Sequence, residues 1–123
     1  MRPNIHIQDM TDLYVYSLQW PDAQIDGKVF NAGYENKPVA EIAEIVRRTA
    51  GQEVQIVTTP TDDMRSYHIS SEKIKRELDF VPRHTIEEAV QELIAAFRDG
   101  RISDPMNNIR YYNIKTMQDL GMK

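Results

Sequence analysis

The strongest constraint on how this chain can fold is a capped amphipathic helix that the sequence specifies from Thr85 onward. Thr85 and Glu88 have the spacing of a capping box, in which each side chain accepts a hydrogen bond from the other residue's backbone N–H. Apolar residues then recur at helical spacing until Gly100 ends the pattern. These apolar residues are Ile86, Ala89, Val90, Leu93, Ile94 and Phe97. Such a helix has one apolar face, so other elements of the chain must cover it.

The same kind of spacing predicts further helices elsewhere in the chain. The first follows Asp9 as its N-cap, and the second opens at Pro38, a residue favoured in the first helical turn. A short helix is predicted at 72–78, entered through a pair of serines suited to capping it. A weak pattern at 108–120 predicts either a fifth helix or an irregular tail.

Short strands are predicted between these helices at residues 4–7, 28–32 and 53–58. Strands that alternate with helices favour a parallel α/β arrangement. We therefore predict a small α/β fragment with about three short strands and four to five helices. Its domain is expected to span residues 1–104, with a tail at 105–123. So few strands make a poor independent sheet, so we expect the fragment to dock on a larger neighbour.

Composition and charge exclude several classes of protein. The chain has 123 residues, a formal net charge of −4 and no cysteine. The charge argues against nucleic-acid binding, and the missing cysteines exclude disulfides and a thiolate zinc site. No apolar run approaches the ~20 residues that span a bilayer, and there is no signal-peptide pattern. We expect a cytoplasmic protein that binds neither nucleic acid nor membrane.

The best candidates for ligand contact are two arginines on loop-like segments, Arg2 and Arg65. Each precedes a predicted helix start, and Asp63 stands in the same polar loop as Arg65. A guanidinium group pairs with a phosphate through two parallel N–H donors, which lysine cannot match. The pattern therefore favours a phosphate-bearing ligand. Salt bridges to the many acidic residues are the alternative for both arginines.

Three other residues were considered for supporting roles. His6 lies just before the predicted cap of the first helix, where it is either functional or a hydrogen-bonded structural histidine. Asp9 is most simply the helix cap, and Asn31 ends a predicted strand at a sharp turn. The three histidines lack metal-ligand spacing, so we predict no metal site.

We predict no catalytic residue in this chain. Tyr111 and Lys115 have the Tyr-x-x-x-Lys spacing of short-chain dehydrogenases, on what would be one helix face. A single match of this kind arises easily by chance, and we interpret it so. The five glycines are scattered and form no Gly-x-Gly-x-x-Gly, so the chain cannot build a dinucleotide cradle.

Several motifs occur together in a consistent order. Residues 2–12 have the sequence RPNIHIQDMTD, which is similar to the motif RDYIHVxDLAD of a known enzyme family. Residues 30–33 have the sequence FNAG, which is similar to a second motif of that family, YNVG. The triplet DMR at 63–65, followed by SEKIKRELDFVP at 71–82, resembles the pair GDxR and SKxxxxLGWxP. These are motifs of the C-terminal part of extended short-chain dehydrogenases/reductases of the nucleotide-sugar epimerase/dehydratase type. The resemblance covers roughly residues 2–99.

The resemblance implies the substrate-binding half of an NAD(P)-dependent epimerase or dehydratase that acts on nucleotide-diphosphate sugars. It implies that Arg2 contacts the phosphates, that Arg65 lines the nucleotide site, and that His6 and Asp9 shape the junction between strand and helix. In that family NAD(P) and the catalytic residues belong to an N-terminal Rossmann half, which has no counterpart here.

We therefore expect this chain alone to bind no cofactor and to be inactive. It would be a truncated product, a cloned fragment or one chain of a split enzyme, and it would self-associate through the face that the missing half leaves open. The alternative is a non-catalytic α/β module that binds a nucleotide or a protein.

Overall fold

The computed structural model describes residues 1–51, 53–60 and 66–122. Within them the chain forms a small α/β protein with six α-helices and a two-stranded sheet. The elements in chain order are β1 (Arg2–Asn4), α1 (Ile7–Ser17), α2 (Asp22–Ile25), β2 (Glu35–Lys37), α3 (Val39–Ala50), α4 (Glu72–Leu78), α5 (Ile86–Arg98), a 3₁₀ turn (Ile109–Tyr111) and α6 (Asn113–Asp119).

The chain divides into two compact units, Met1–Gln91 and Glu92–Lys123. The first unit contains the sheet, the first four helices and the start of α5, and the second contains the 3₁₀ turn and α6. The domain boundary expected at residue 104 stays a prediction. Within the described ranges, no helix combines the length and apolar character needed to cross a membrane.

The sheet differs from the predicted one in both direction and position. β1 and β2 pair antiparallel, with Arg2 opposite Lys37 and Asn4 opposite Glu35, so the expected parallel arrangement is wrong. Residues 28–32 and 54–58 lie outside any strand. The β2 strand was missed because its residues, Glu-Asn-Lys, are not β-branched and have low strand propensity. Tertiary contacts decide where such short strands form.

The start of α1 also differs from the prediction. The helix begins at Ile7 and its N-cap is His6, whose Nδ1 accepts a hydrogen bond from the Gln8 N–H at 3.1 Å. Asp9 therefore lies inside the first turn, and its expected role as N-cap is wrong. The imidazole already satisfies a free N–H of the first turn, which leaves the Asp9 carboxylate available for a contact distant in sequence.

The helices predicted from clear periodicity are confirmed at 39–50, 72–78 and 86–98. The capping box is present, since Thr85 N donates to Glu88 Oε2 at 2.7 Å and Glu88 N donates to Thr85 Oγ1 at 3.2 Å. The short helix α2 was not predicted, because four residues are too few to show a helical periodicity. The weak pattern at 108–120 is resolved into a 3₁₀ turn and α6.

The core of the first unit is built around α4 and the residues that follow it. Ile74, Leu78 and Phe80 form its buried cluster. The partly buried side chains packed against this cluster are Leu13, Trp20, Ile25, Phe30 and Ala32. Of residues 28–32, which were predicted as a buried strand, only Phe30 and Ala32 contact the core; Val29 is exposed, and the segment forms no strand.

One position in this core region is conformationally strained. Asp79, the C-cap of α4, has φ 53° and ψ 25°, in the left-handed region. Glycine adopts this conformation without a steric penalty, so we expect Asp79→Gly to raise the free energy of unfolding by about 0.5–1 kcal/mol. Urea denaturation followed by circular dichroism measures the change. Asp79→Asn tolerates the same backbone and should leave stability nearly unchanged, whereas a less stable glycine variant would show that the carboxylate contributes more than the strain costs.

Candidate functional site

The candidate site lies where β1 runs beside the segment that follows the predicted arginine loop. The amino group of Met1 donates to Ser66 Oγ at 2.7 Å, and the backbone N–H of Tyr67 donates to the Met1 carbonyl at 3.4 Å. We call this region the β1 surface and define it by Arg2, Lys37, Ser66 and Tyr67. Two segments more than sixty residues apart in sequence therefore meet here.

Arg2 is the central cation of the β1 surface. It is half-buried, and its guanidinium carbon lies 5.6 Å from the centroid of the Tyr67 ring, which is a cation–π geometry. A guanidinium group carries paired N–H donors whose geometry matches a carboxylate or phosphate. The ring already restricts the conformations of the Arg2 side chain. Binding a ligand therefore costs this side chain less conformational entropy.

A second cation lies beside Arg2. Lys37 is opposite Arg2 in the antiparallel register, which puts the two side chains on the same face of the sheet. Lys37 Nζ donates to Glu41 Oε1 at 2.6 Å and lies 3.7 Å from Glu35 Oε2. The hydrogen bond to Glu41 raises the pKa of Lys37, and the nearby Glu35 carboxylate acts in the same direction. Lys37 thus stays charged at neutral pH, with its charge compensated by carboxylates.

The segment at 69–71 is held in place by side chains that imitate strand pairing. Asn36 Nδ2 donates to the Ile69 carbonyl and Asn36 Oδ1 accepts from the Ile69 N–H, both at 2.9 Å. Ser71 Oγ donates to the Gly33 carbonyl at 2.8 Å and accepts from the Gly33 N–H at 2.9 Å. A Cβ atom at Gly33 would lie 2.8 Å from Ile69 Cδ1, so a larger residue there would displace the end of the Ile69 side chain. These bonds support the adjoining residues of the β1 surface.

The serine pair before α4 does not cap the helix as predicted. Ser71 occupies the N-cap position but makes no capping hydrogen bond, because its hydroxyl is engaged with Gly33. Ser70 Oγ instead accepts from the Glu72 N–H at the long distance of 3.4 Å. A serine side chain can bond either to its own helix or to a distant backbone, and only tertiary structure selects between them.

The other predicted site residues are distributed as follows. Arg65 and Asp63 lie outside the described residues, and Asn31 is exposed. His6 and Asp9 are buried, and both contact the residues that precede α5. The His6 and His84 rings have centroids 4.9 Å apart, and the Asp9 carboxylate accepts hydrogen bonds from the backbone N–H groups of residues 83 and 84. Arg2 is therefore the one described residue of the set at the β1 surface.

A cleft of about 360 Å³ lies between α1 and the residues after α4, and sequence analysis did not anticipate it. Its lining includes Asp12, Tyr16, Trp20, Asp79, Phe80 and Arg83. The sequence carries no signal for it, since these residues belong to separate elements and form no motif.

Among residues 1–51, 53–60 and 66–122, no group of three acidic or histidine side chains is placed to hold a metal ion.

The Tyr-x-x-x-Lys match does not lie on one helix. Tyr111 ends the 3₁₀ turn and Lys115 belongs to α6, with the extended residue Tyr112 between them (φ −124°, ψ 97°). Lys115 Nζ lies instead 4.2 Å from the centroid of the Tyr112 ring. The two residues therefore do not share a helix face, because the backbone changes direction between them.

The described residues do not fit a dinucleotide. Their sheet has two antiparallel strands, whereas a dinucleotide cradle needs a strand, a glycine-rich turn and a helix within a parallel sheet. The sheet of the described residues therefore does not provide a cradle of that kind.

The chain matches no family model, no curated protein and no solved structure. The resemblance to extended short-chain dehydrogenases/reductases therefore rests on its motifs.

Proposed function

We propose that this chain is the substrate-binding part of an NAD(P)-dependent nucleotide-sugar epimerase or dehydratase, and that the β1 surface binds the diphosphate of the sugar nucleotide. The observation that carries the proposal is the stacking of Arg2 on Tyr67. Arg2 opens one motif of the resemblance, and Tyr67 lies two residues after the end of another, the triplet at 63–65. The first residue of one motif thus contacts a residue that follows another motif in sequence.

The chemistry of the surface suits a diphosphate. Phosphate oxygens accept paired hydrogen bonds from a guanidinium group, and charge-assisted bonds of this kind are about twice as strong as neutral ones. Lys37 lies on the same face of the sheet, but Glu41 and Glu35 compensate its charge, so the proposal assigns the phosphate contact to Arg2. The Tyr67 ring is exposed and offers an aromatic face beside the guanidinium. In a complete enzyme NAD(P) would supply the oxidation of the sugar; the part proposed for this chain is to hold the substrate.

A ligand titration tests this proposal. We expect calorimetry and thermal-shift assays to detect saturable binding of at least one among UDP-, GDP-, CDP- and dTDP-sugars. Arg2→Ala should weaken that binding by about 2 kcal/mol, roughly thirty-fold, because a charge-assisted pair to phosphate is lost. Arg2→Lys retains the charge without the paired donors and should be intermediate. A similar loss is expected for Arg65→Ala, from its motif alone.

The matched control is Arg101→Ala, which removes one exposed arginine whose guanidinium group pairs with Asp99 at 3.2 Å. Its affinity for the ligand should equal that of the unmodified chain. An absence of binding in a folded sample, or an equal loss in Arg101→Ala, would contradict the proposal.

The second candidate is the non-catalytic α/β module that binds a protein. The exposed apolar side chains of α1 favour it, since large apolar residues grouped on a surface mark interaction sites. The same titration separates the two candidates, because a module of this kind would leave all four sugar nucleotides unbound.

A further inference from the structure

The outer side of α1 carries large apolar side chains that solvent reaches. Ile7, Tyr14 and Leu18 are 73%, 69% and 87% exposed. At 100° per residue these three positions lie within about 40° of one another around the helix axis, and Thr11 falls beside them. We call these four residues the α1 face. None of them is charged.

The spacing on the α1 face is that of a helix that packs against another helix. The four positions follow one another by four, three and four residues, which is the a/d pattern of a coiled-coil seam. The acidic residues of α1, Asp9 and Asp12, fall on the opposite side of the helix. A seam without charge can therefore meet a copy of itself without repulsion between identical groups.

An apolar groove adjoins the α1 face. It has a volume of about 230 Å³, and Tyr14 belongs to both features. The other side chains that line it include Leu13, Trp20, Ile25, Phe30 and one charged residue, Lys28, whose Nζ pairs with Glu77 at 3.3 Å. Leu18 is the most exposed of the apolar residues on α1, and its side chain is small enough for a groove of this size. One surface thus carries both a protruding apolar side chain and an apolar depression.

We propose that the α1 face and this groove form a twofold dimer interface with a second copy of the chain, in which Leu18 of each copy packs into the groove of the other. An interface of this type must be self-complementary, and a protrusion beside a matching depression satisfies that condition. Three large side chains exposed to this degree present on the order of 500 Å² per copy, so two copies bury about 1,000 Å², the lower bound for a specific interface. The proposal does not depend on the ligand of the β1 surface.

Sedimentation equilibrium of the full chain over a wide range of concentrations tests the proposal. We expect a monomer–dimer equilibrium. Leu18→Glu should raise the dimer dissociation constant by at least about 100-fold, because the twofold axis applies the substitution twice. Val39→Glu, the matched control, removes an exposed apolar side chain from α3 and should leave the constant unchanged.

A second variant keeps the test decisive if Leu18→Glu impairs folding. Thr11→Val replaces the polar member of the α1 face with an apolar residue and should tighten the dimer by about ten-fold. A monomer at every concentration would overturn the proposal. A dimer whose dissociation constant neither Leu18→Glu nor Thr11→Val changes would also overturn it. The same holds if the α1 face binds only a different protein.

Discussion

Replacing Ile74 by alanine is expected to lower the free energy of unfolding by about 3–4 kcal/mol. Ile74 is 1% exposed and lies in the buried cluster with Leu78 and Phe80. Truncation removes three methyl or methylene groups from this cluster and leaves a cavity that its neighbours fill only in part. Among the described residues just five hydrophobic side chains are buried, so each carries a large share of the stability. Urea denaturation monitored by circular dichroism measures the loss.

The matched control is the same truncation at Ile114, which is 73% exposed on α6. It should change the free energy of unfolding by no more than about 0.5 kcal/mol. If Ile74→Ala is too unstable to measure, Ile74→Val removes one methylene and should cost about 1 kcal/mol. Equal losses at Ile74 and Ile114 would contradict the description of the core.

Replacing Asp9 by alanine is expected to lower the free energy of unfolding by about 3 kcal/mol. The side chain is 3% exposed, and its two oxygens accept the backbone N–H groups of Arg83 and His84, each at 3.0 Å. Removing the carboxylate leaves two donors without this acceptor and detaches α1 from the residues that precede α5. The free energy of unfolding measures the total effect.

Amide hydrogen exchange locates the effect. Exchange at Arg83 and His84 should accelerate in Asp9→Ala, because both amides lose their acceptor. Asp9→Asn keeps one acceptor oxygen and turns an amide toward the second N–H, so its stability should be intermediate. Asp12→Ala is the matched control, since the hydrogen bond of Asp12 is to the Gln8 side chain within the same helix. Unchanged exchange at both amides in Asp9→Ala would argue against this role.

Helices were predictable here to the extent that their signals are local. In α5 the capping box and the apolar stripe act within a few residues of each other, so the sequence states them completely. Local sequence signals do not decide the start of a helix where two neighbouring residues both suit the N-cap position. His6 and Asp9 both suit an N-cap, and the contact of Asp9 with residues 83 and 84 assigns the cap to His6.

Of the residues that define the β1 surface, sequence analysis predicted the arginine but not its neighbours. The preference of guanidinium for phosphate singled out Arg2 from its type and context alone. Lys37 and Tyr67 were missed because they reach Arg2 across a strand pair and through a tertiary contact. No spacing along the chain records either relation.

By itself the sequence determined the helices at 39–50, 72–78 and 86–98, and that no cysteine is present to bind a metal or form a disulfide. Tertiary structure alone decided that β1 pairs antiparallel with β2, that Ser71 and Asn36 bind distant backbone groups, and that the apolar side of α1 stays open to solvent. The physical reason is the separation along the sequence of the residues that each hydrogen bond joins. Helical hydrogen bonds join residues four apart, whereas the bonds between Gly33 and Ser71 join residues 38 apart and form only after the chain has folded.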